Sequence, residues 1–103
     1  MRRFPPIALA GIFLFAITLR AEPVGIVSHI RRVPVQSSAL AAVGYSKKLR
    51  ALEIEFRNGA IYRYLGVAPD VYDALISARS KARFYDANIR HKYRSLHVRP
   101  RAE

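Results

Sequence analysis

From Leu52 to Phe56 the chain alternates strictly, with Leu52, Ile54 and Phe56 apolar and Glu53, Glu55 and Arg57 charged. A period of two marks a β-strand with one buried and one wet face. Asn58-Gly59 follows, two residues that tolerate positive φ and favour a tight reversal. Ala60–Leu65 is rich in the aromatic and β-branched types that strands accommodate, and predicts the returning strand. Two registers compete. A two-residue turn pairs Arg57 with Ala60 and sets Glu55 against Tyr62. A three-residue loop over Arg57–Gly59, with Gly59 left-handed, pairs Phe56 with Ala60. Ile54 then faces Tyr62, Leu52 faces Tyr64 and Glu53 faces Arg63. A slip of one residue turns a whole apolar set to the wrong side, so the three-residue loop is the register predicted. The Glu53–Arg63 pair, worth about 0.2–1 kcal/mol, agrees with that choice without making it.

Upstream, Ser37–Ser46 mixes small apolar residues with Gly44-Tyr45 and predicts a first strand, with Ser46–Lys48 turning into the second. Downstream, Pro69 suits a first helical position, and Asp70 and Asp73 complement the helix dipole. Val71, Leu75 and Ala78 recur at helical spacing, giving one face to pack on the sheet. Ser80 is placed to cap a second helix, on which Tyr85, Ile89 and Tyr93 form a stripe at i, i+4 and i+8 beside Phe84. The fold class expected is α+β: a three-stranded antiparallel meander packed by two carboxyl-terminal helices, preceded by a hydrophobic helix or signal. Residues 1–21 form a leader, 22–34 a linker with at most a short extended piece at Gly25–Ile30, 35–95 the domain and 96–103 a frayed basic tail.

The leader has a basic start at Arg2-Arg3, an apolar run of 13 residues at Ile7–Leu19 and a small residue at Ala21. That is the build of a bacterial export signal, although Leu19 fits the outer cleavage position poorly. Thirteen helical residues span about 20 Å, short of a hydrocarbon core of about 30 Å. Export to the periplasm or medium is the expectation. An uncleaved anchor over residues 4–19 and a core helix of a cytosolic protein are the alternatives.

The string Phe56-Arg-Asn-Gly-Ala-Ile-Tyr62-Arg-Tyr64-Leu-Gly-Val67-Ala-Pro69 resembles the centre of a KTSC domain, a small module with a Tyr-x-Tyr motif that is named after the carboxyl end of some lysyl-tRNA synthetases. The resemblance runs back to Ser37-Ser38 and Gly44-Tyr45. It runs forward through Val71-Tyr72, Leu75, Ala78, Ser80, Phe84-Tyr85, Ile89-Arg90 and Tyr93, covering roughly Val33–Arg94. The family usually has Gly at the position of Ala82 and commonly Asn at that of Asp86; if positive φ is needed there, Ala82 is strained. What the resemblance implies about function is limited to RNA binding, which has been suggested for the family.

Charge narrows the partners. Lys plus Arg number 18 against 7 acids, a formal net charge of +11. Without residues 1–21, which hold Arg2, Arg3 and Arg20, 15 remain against 7. Such an excess speaks of anionic partners and solubility and says nothing of fold. It is densest from Arg79 to Arg101, where Asp86 is the one acid. The candidate anion-binding residues are Arg79, Lys81, Arg83, Arg90, Lys92 and Arg94. A solvated face is the bland account of them; the functional ones are an anionic membrane surface, an envelope polymer or nucleic acid. Tyr62 and Tyr64 form a possible aromatic platform, although the chosen register sets them among core residues. There is no Cys, so disulfides do not reinforce the domain. His91 and His97 lie six apart, not at ligand spacing. Ser37-Ser38 has no nucleophile elbow around it, and the acids form no catalytic pair. The reading is a non-enzymatic binding module with no metal or cofactor, and with an oligomeric state the sequence leaves open.

Overall fold

The computed structural model describes residues 25–99. The strands are β1 (Val33–Pro34), β2 (Leu40–Ser46), β3 (Ala51–Phe56), β4 (Ile61–Leu65) and β5 (Ser95–His97), with helices α1 (Pro69–Ser77) and α2 (Lys81–Asn88) between β4 and β5. They form one antiparallel sheet in sequence order. The leader lies outside the described residues.

The β3–β4 hairpin takes the register that the apolar pattern demands. Leu52 faces Tyr64, Glu53 faces Arg63 and Ile54 faces Tyr62. The Phe56 amide donates to the Ala60 carbonyl at 2.8 Å, and the Gly59 amide donates back to Phe56 at 2.9 Å. Gly59 has φ 95°, the left-handed position that closes such a loop.

The sheet has five strands where three were expected. The added ones, β1 and β5, have exposed side chains and therefore no hydropathy signal. What they satisfy is backbone. The Leu65 amide donates to the Arg94 carbonyl and the Val98 amide to the Ile61 carbonyl, each at 2.9 Å, so the polar edge of β4 is paired. Pro34, lacking a donor, is tolerated because β1 is an edge strand.

One face carries the helices. Leu40, Val43, Leu52, Ile54 and Tyr64 from the sheet pack with Val67, Leu75 and Ile89 in a single buried cluster. Pro69 opens α1, and the Ser80 hydroxyl accepts from the Arg83 amide at 3.2 Å to cap α2. α2 is shorter than the tyrosine stripe suggested. It ends at Asn88, Ile89 leaves helical geometry at φ −120°, and His91 sits at φ 61°. Ala82 falls inside α2 without positive φ, so the expected strain is absent.

The second face was expected to be wet and is instead covered. The chain from Gly25 to Arg32, in the stretch read as linker, crosses it as a strap. Ile26 is bridged to Val98 beside β5, and Val33–Pro34 pairs with β2 at the far edge. Beneath the strap Glu53 is fully buried. Its carboxylate accepts from Arg32 at 2.6 Å, from Arg63 at 2.9 Å and from the Ser28 hydroxyl at 2.6 Å. Arg32 also reaches Glu55 at 3.4 Å.

Candidate functional site

Where the end of β3 meets the turn after α2, aromatic side chains enclose a cleft of about 250 Å3. Phe56 and Tyr62 come from the hairpin, Tyr85 from α2 and Tyr93 from the turn; Arg90, His91 and Ser95 complete the lining, with Tyr64 at its base. The rings meet edge to face. Phe56 lies 5.2 Å from Tyr85 and 6.4 Å from Tyr62, at 71° and 66°, and Tyr64 lies 6.0 Å from Tyr85 at 70°. Each such pair adds about 0.5–1.5 kcal/mol beyond burial.

The Tyr64 and Tyr85 hydroxyls share a hydrogen bond of 2.7 Å. Burial, then the Tyr85 hydrogen bond, push the Tyr64 phenol well above its ordinary value. The folded protein therefore favours the neutral phenol, and the unfolded chain releases its proton first. This contribution is intact below about pH 10 and is lost as pH rises above it. Tyr64→Phe is expected to cost about 1 kcal/mol in urea denaturation at neutral pH. Above pH 10 the gap to wild type is expected to narrow, because the variant has no such proton to lose.

The predicted site residues are only partly brought together. Arg79 is exposed between the helices, and Arg83 is exposed on α2. The Lys81 ammonium is taken up by the Ala78 carbonyl at 3.1 Å. Arg90, Lys92 and Arg94 follow the helix, so the basic run is not one helical face as expected; α2 holds Lys81 and Arg83 alone. Arg90 reaches Asp86 at 3.4 Å, with both side chains more than half exposed, a pair of little strength. Of the six cations, Arg90 lines the cleft. Tyr62 is half-buried there, whereas Tyr64 is 5% exposed and serves packing. Phe56, Tyr85 and Tyr93 read as packing residues in the sequence, and His91 and Ser95 carried no signal. Their convergence depends on α2 stopping at Asn88.

Two larger hollows, of about 540 and 610 Å3, flank the strap. They combine cations with apolar side chains but lack the aromatic wall, and Arg63 and Arg32 on their margins are already committed to Glu53.

Comparison with known proteins places this geometry. The KTSC domain model matches residues 36–93. An uncharacterized protein of Stutzerimonas stutzeri is 44% identical over 57 residues, 55% of this chain and 80% of that one. A protein of Tsukamurella paurometabola is 38% identical over 63 residues, 61% of this chain and 94% of its own length. A lysine–tRNA ligase of Nostoc punctiforme is 32% identical over 59 residues, which are 57% of this chain but 10% of that enzyme. The crystal structure of a KTSC domain protein from Yersinia pestis aligns with a TM-score of 0.66 and 38% identity, over 68% of this chain and 99% of that one. The domain built on the Asn58-Gly59 hairpin, with its tyrosines set against two short helices, belongs to the KTSC domain family.

Proposed function

We propose that this chain is a non-enzymatic binding module, exported or tethered through residues 4–19, that holds an anionic partner with the cations of its carboxyl-terminal third. The observation that carries the reading is the set of exposed cations from Arg79 to Arg94, of which Arg90 lines the aromatic cleft. Arg79, Arg83, Lys92 and Arg94 are exposed and make no ion pair among the described residues, and Arg90 stands at the cleft itself. Cations left unpaired in this way keep their attraction for an external anion. A second reading, single-stranded nucleic acid, is favoured by the half-buried rings of Tyr62 and Tyr93 beside Arg90, since rings flanked by cations suit stacked bases.

Binding of a fluorescent polyanion is expected to weaken steeply with salt. With four cations engaged on a single strand, log K against log salt has a slope of about −3. Arg83→Glu combined with Lys92→Glu is expected to flatten that slope, and a salt-insensitive complex would remove the reading. Fusing residues 1–30 to a reporter active only outside the cytoplasm separates the two partners, because export leaves a dedicated RNA role without its substrate.

A further inference from the structure

We infer that the aromatic cleft is a seat for a phosphate monoester carried on one sugar-sized ring. This rests on the binding-module reading and adds the chemistry of the unit bound. The first argument is size. At about 250 Å3 the cleft falls below the roughly 300–1,000 Å3 of sites for drug-sized ligands, so a single ring with one substituent fills it.

The second argument is donors. Two phenols that bond to each other place one proton between their oxygens and leave the other without an acceptor among the described residues. Tyr85, half-buried where Tyr64 is buried, has access to the cleft. Burial holds the Tyr64 phenol in its protonated form, which keeps it a partner in that hydrogen bond. Arg90 lines the same cleft as Tyr64 and Tyr85, so its guanidinium and the tyrosine hydroxyls border one space. Ser95 and His91 line the same space. Tyr85, Arg90, His91 and Ser95 bring donors from four backbone positions, and a phosphate monoester answers them with more charge, about −1.5 to −2, than a carboxylate or a diester carries. A monoester presents three oxygens, and the guanidinium fork matches two of them.

The third argument is the shape of the wall. Phe56 meets Tyr62 and Tyr85 edge to face, at 66° and 71°, so the three rings make a corner. A puckered sugar ring fits a corner. His91, at φ 61°, holds a backbone conformation that costs a non-glycine residue about 1–2 kcal/mol, and it does so at the cleft's edge. Asp86, the acid paired with Arg90, is 60% exposed and does not line the cleft.

The test is an NMR titration of the full chain in detergent with ribose 5-phosphate, alongside ribose, inorganic phosphate and the dinucleotide UpU, which has a diester and no terminal phosphate. Ribose 5-phosphate is expected to shift Tyr85, Arg90 and His91 saturably, ribose to do nothing, and the other two to bind about ten-fold more weakly. Tyr85→Phe keeps the ring and is expected to weaken binding about five-fold, the share of one hydrogen bond. Asp86→Asn frees Arg90 and is expected to tighten it two- to three-fold. The inference is overturned if Tyr85→Phe and Arg90→Gln bind as wild type does, or if the shifts gather at Arg79 and Arg83. It is overturned equally if inorganic phosphate or UpU matches ribose 5-phosphate. Polyanion binding that persists with its salt slope while ribose 5-phosphate fails sinks the cleft and leaves the binding module standing; loss of both sinks both.

Discussion

Glu53→Gln is expected to remove about 3–5 kcal/mol of folding stability, because it withdraws the one fully buried negative charge among the described residues from beneath two arginines. Arg32 and Arg63 are each 14% exposed, so neither can turn to water without lifting the strap or bending β4. Domains of this size have little stability to lose, at the low end of about 5–15 kcal/mol, so most of the margin goes with one side chain. Urea denaturation followed by far-UV circular dichroism reads the effect as a shifted midpoint. Glu55→Gln is the control. Its side chain is 37% exposed and holds one contact of 3.4 Å, so less than about 1 kcal/mol is expected. Adding Arg63→Leu to Glu53→Gln removes one stranded cation and is expected to recover part of the loss, a coupling that a damaged backbone would not show. A midpoint for Glu53→Gln equal to that of wild type would mean that the network holds nothing.

The same residue marks how far the sequence could be read. The alternation at Leu52–Phe56 fixes which face looks inward and, with Asn58-Gly59, the loop length and the pairing of Glu53 with Arg63. Ser80 and Pro69 announce their helices because capping depends on neighbours in the chain. Alternation does not say what lies over the outward face. Glu53 reads as solvated, and its burial depends on Ser28 and Arg32, more than twenty residues upstream and outside the 36–93 family match. β5 escapes notice for a related reason. An edge strand is selected by unpaired backbone on its neighbour, and Ser95–His97 needs no apolar side chain to supply that. The cleft is hidden by the end of α2. Continued to Tyr93, the helix would place Tyr85, Ile89 and Tyr93 in one packed stripe; ended at Asn88, it buries Ile89 and turns Tyr93 and Arg90 toward Tyr62.

Gly44→Ala is expected to release the strap, and the reason is contact distance alone. Gly44 has no positive φ, so the backbone itself would accept alanine. The obstacle is above it. Gly44 pairs with Glu53 at the point where the strap crosses, and an added Cβ would lie 2.9 Å from the Arg31 carbonyl carbon, closer still to its oxygen, and 3.1 Å from Ile30 Cγ2. Two of these atoms are backbone and cannot turn aside as a side-chain end would. β2 is held by its ladder to β3, with Val43 on Ile54 and Tyr45 on Leu52, so the strap must be the part that yields. Once it lifts, Ser28 and Arg32 leave the Glu53 carboxylate, which keeps Arg63 and gains water. The combined cost of overpacking and lost polar contacts is about 3 kcal/mol. Hydrogen exchange tells release from unfolding. The Ile26 and Arg99 amides, bonded to His97 and Ile26 at 2.9 and 2.8 Å, should lose protection first, while the β3 and β4 amides between paired strands stay slow. Equal loss at every site would mean that the strap and the domain open as one unit. Full protection at Ile26 and Arg99 in the alanine variant would mean that the close approach at Gly44 is not what seats the strap.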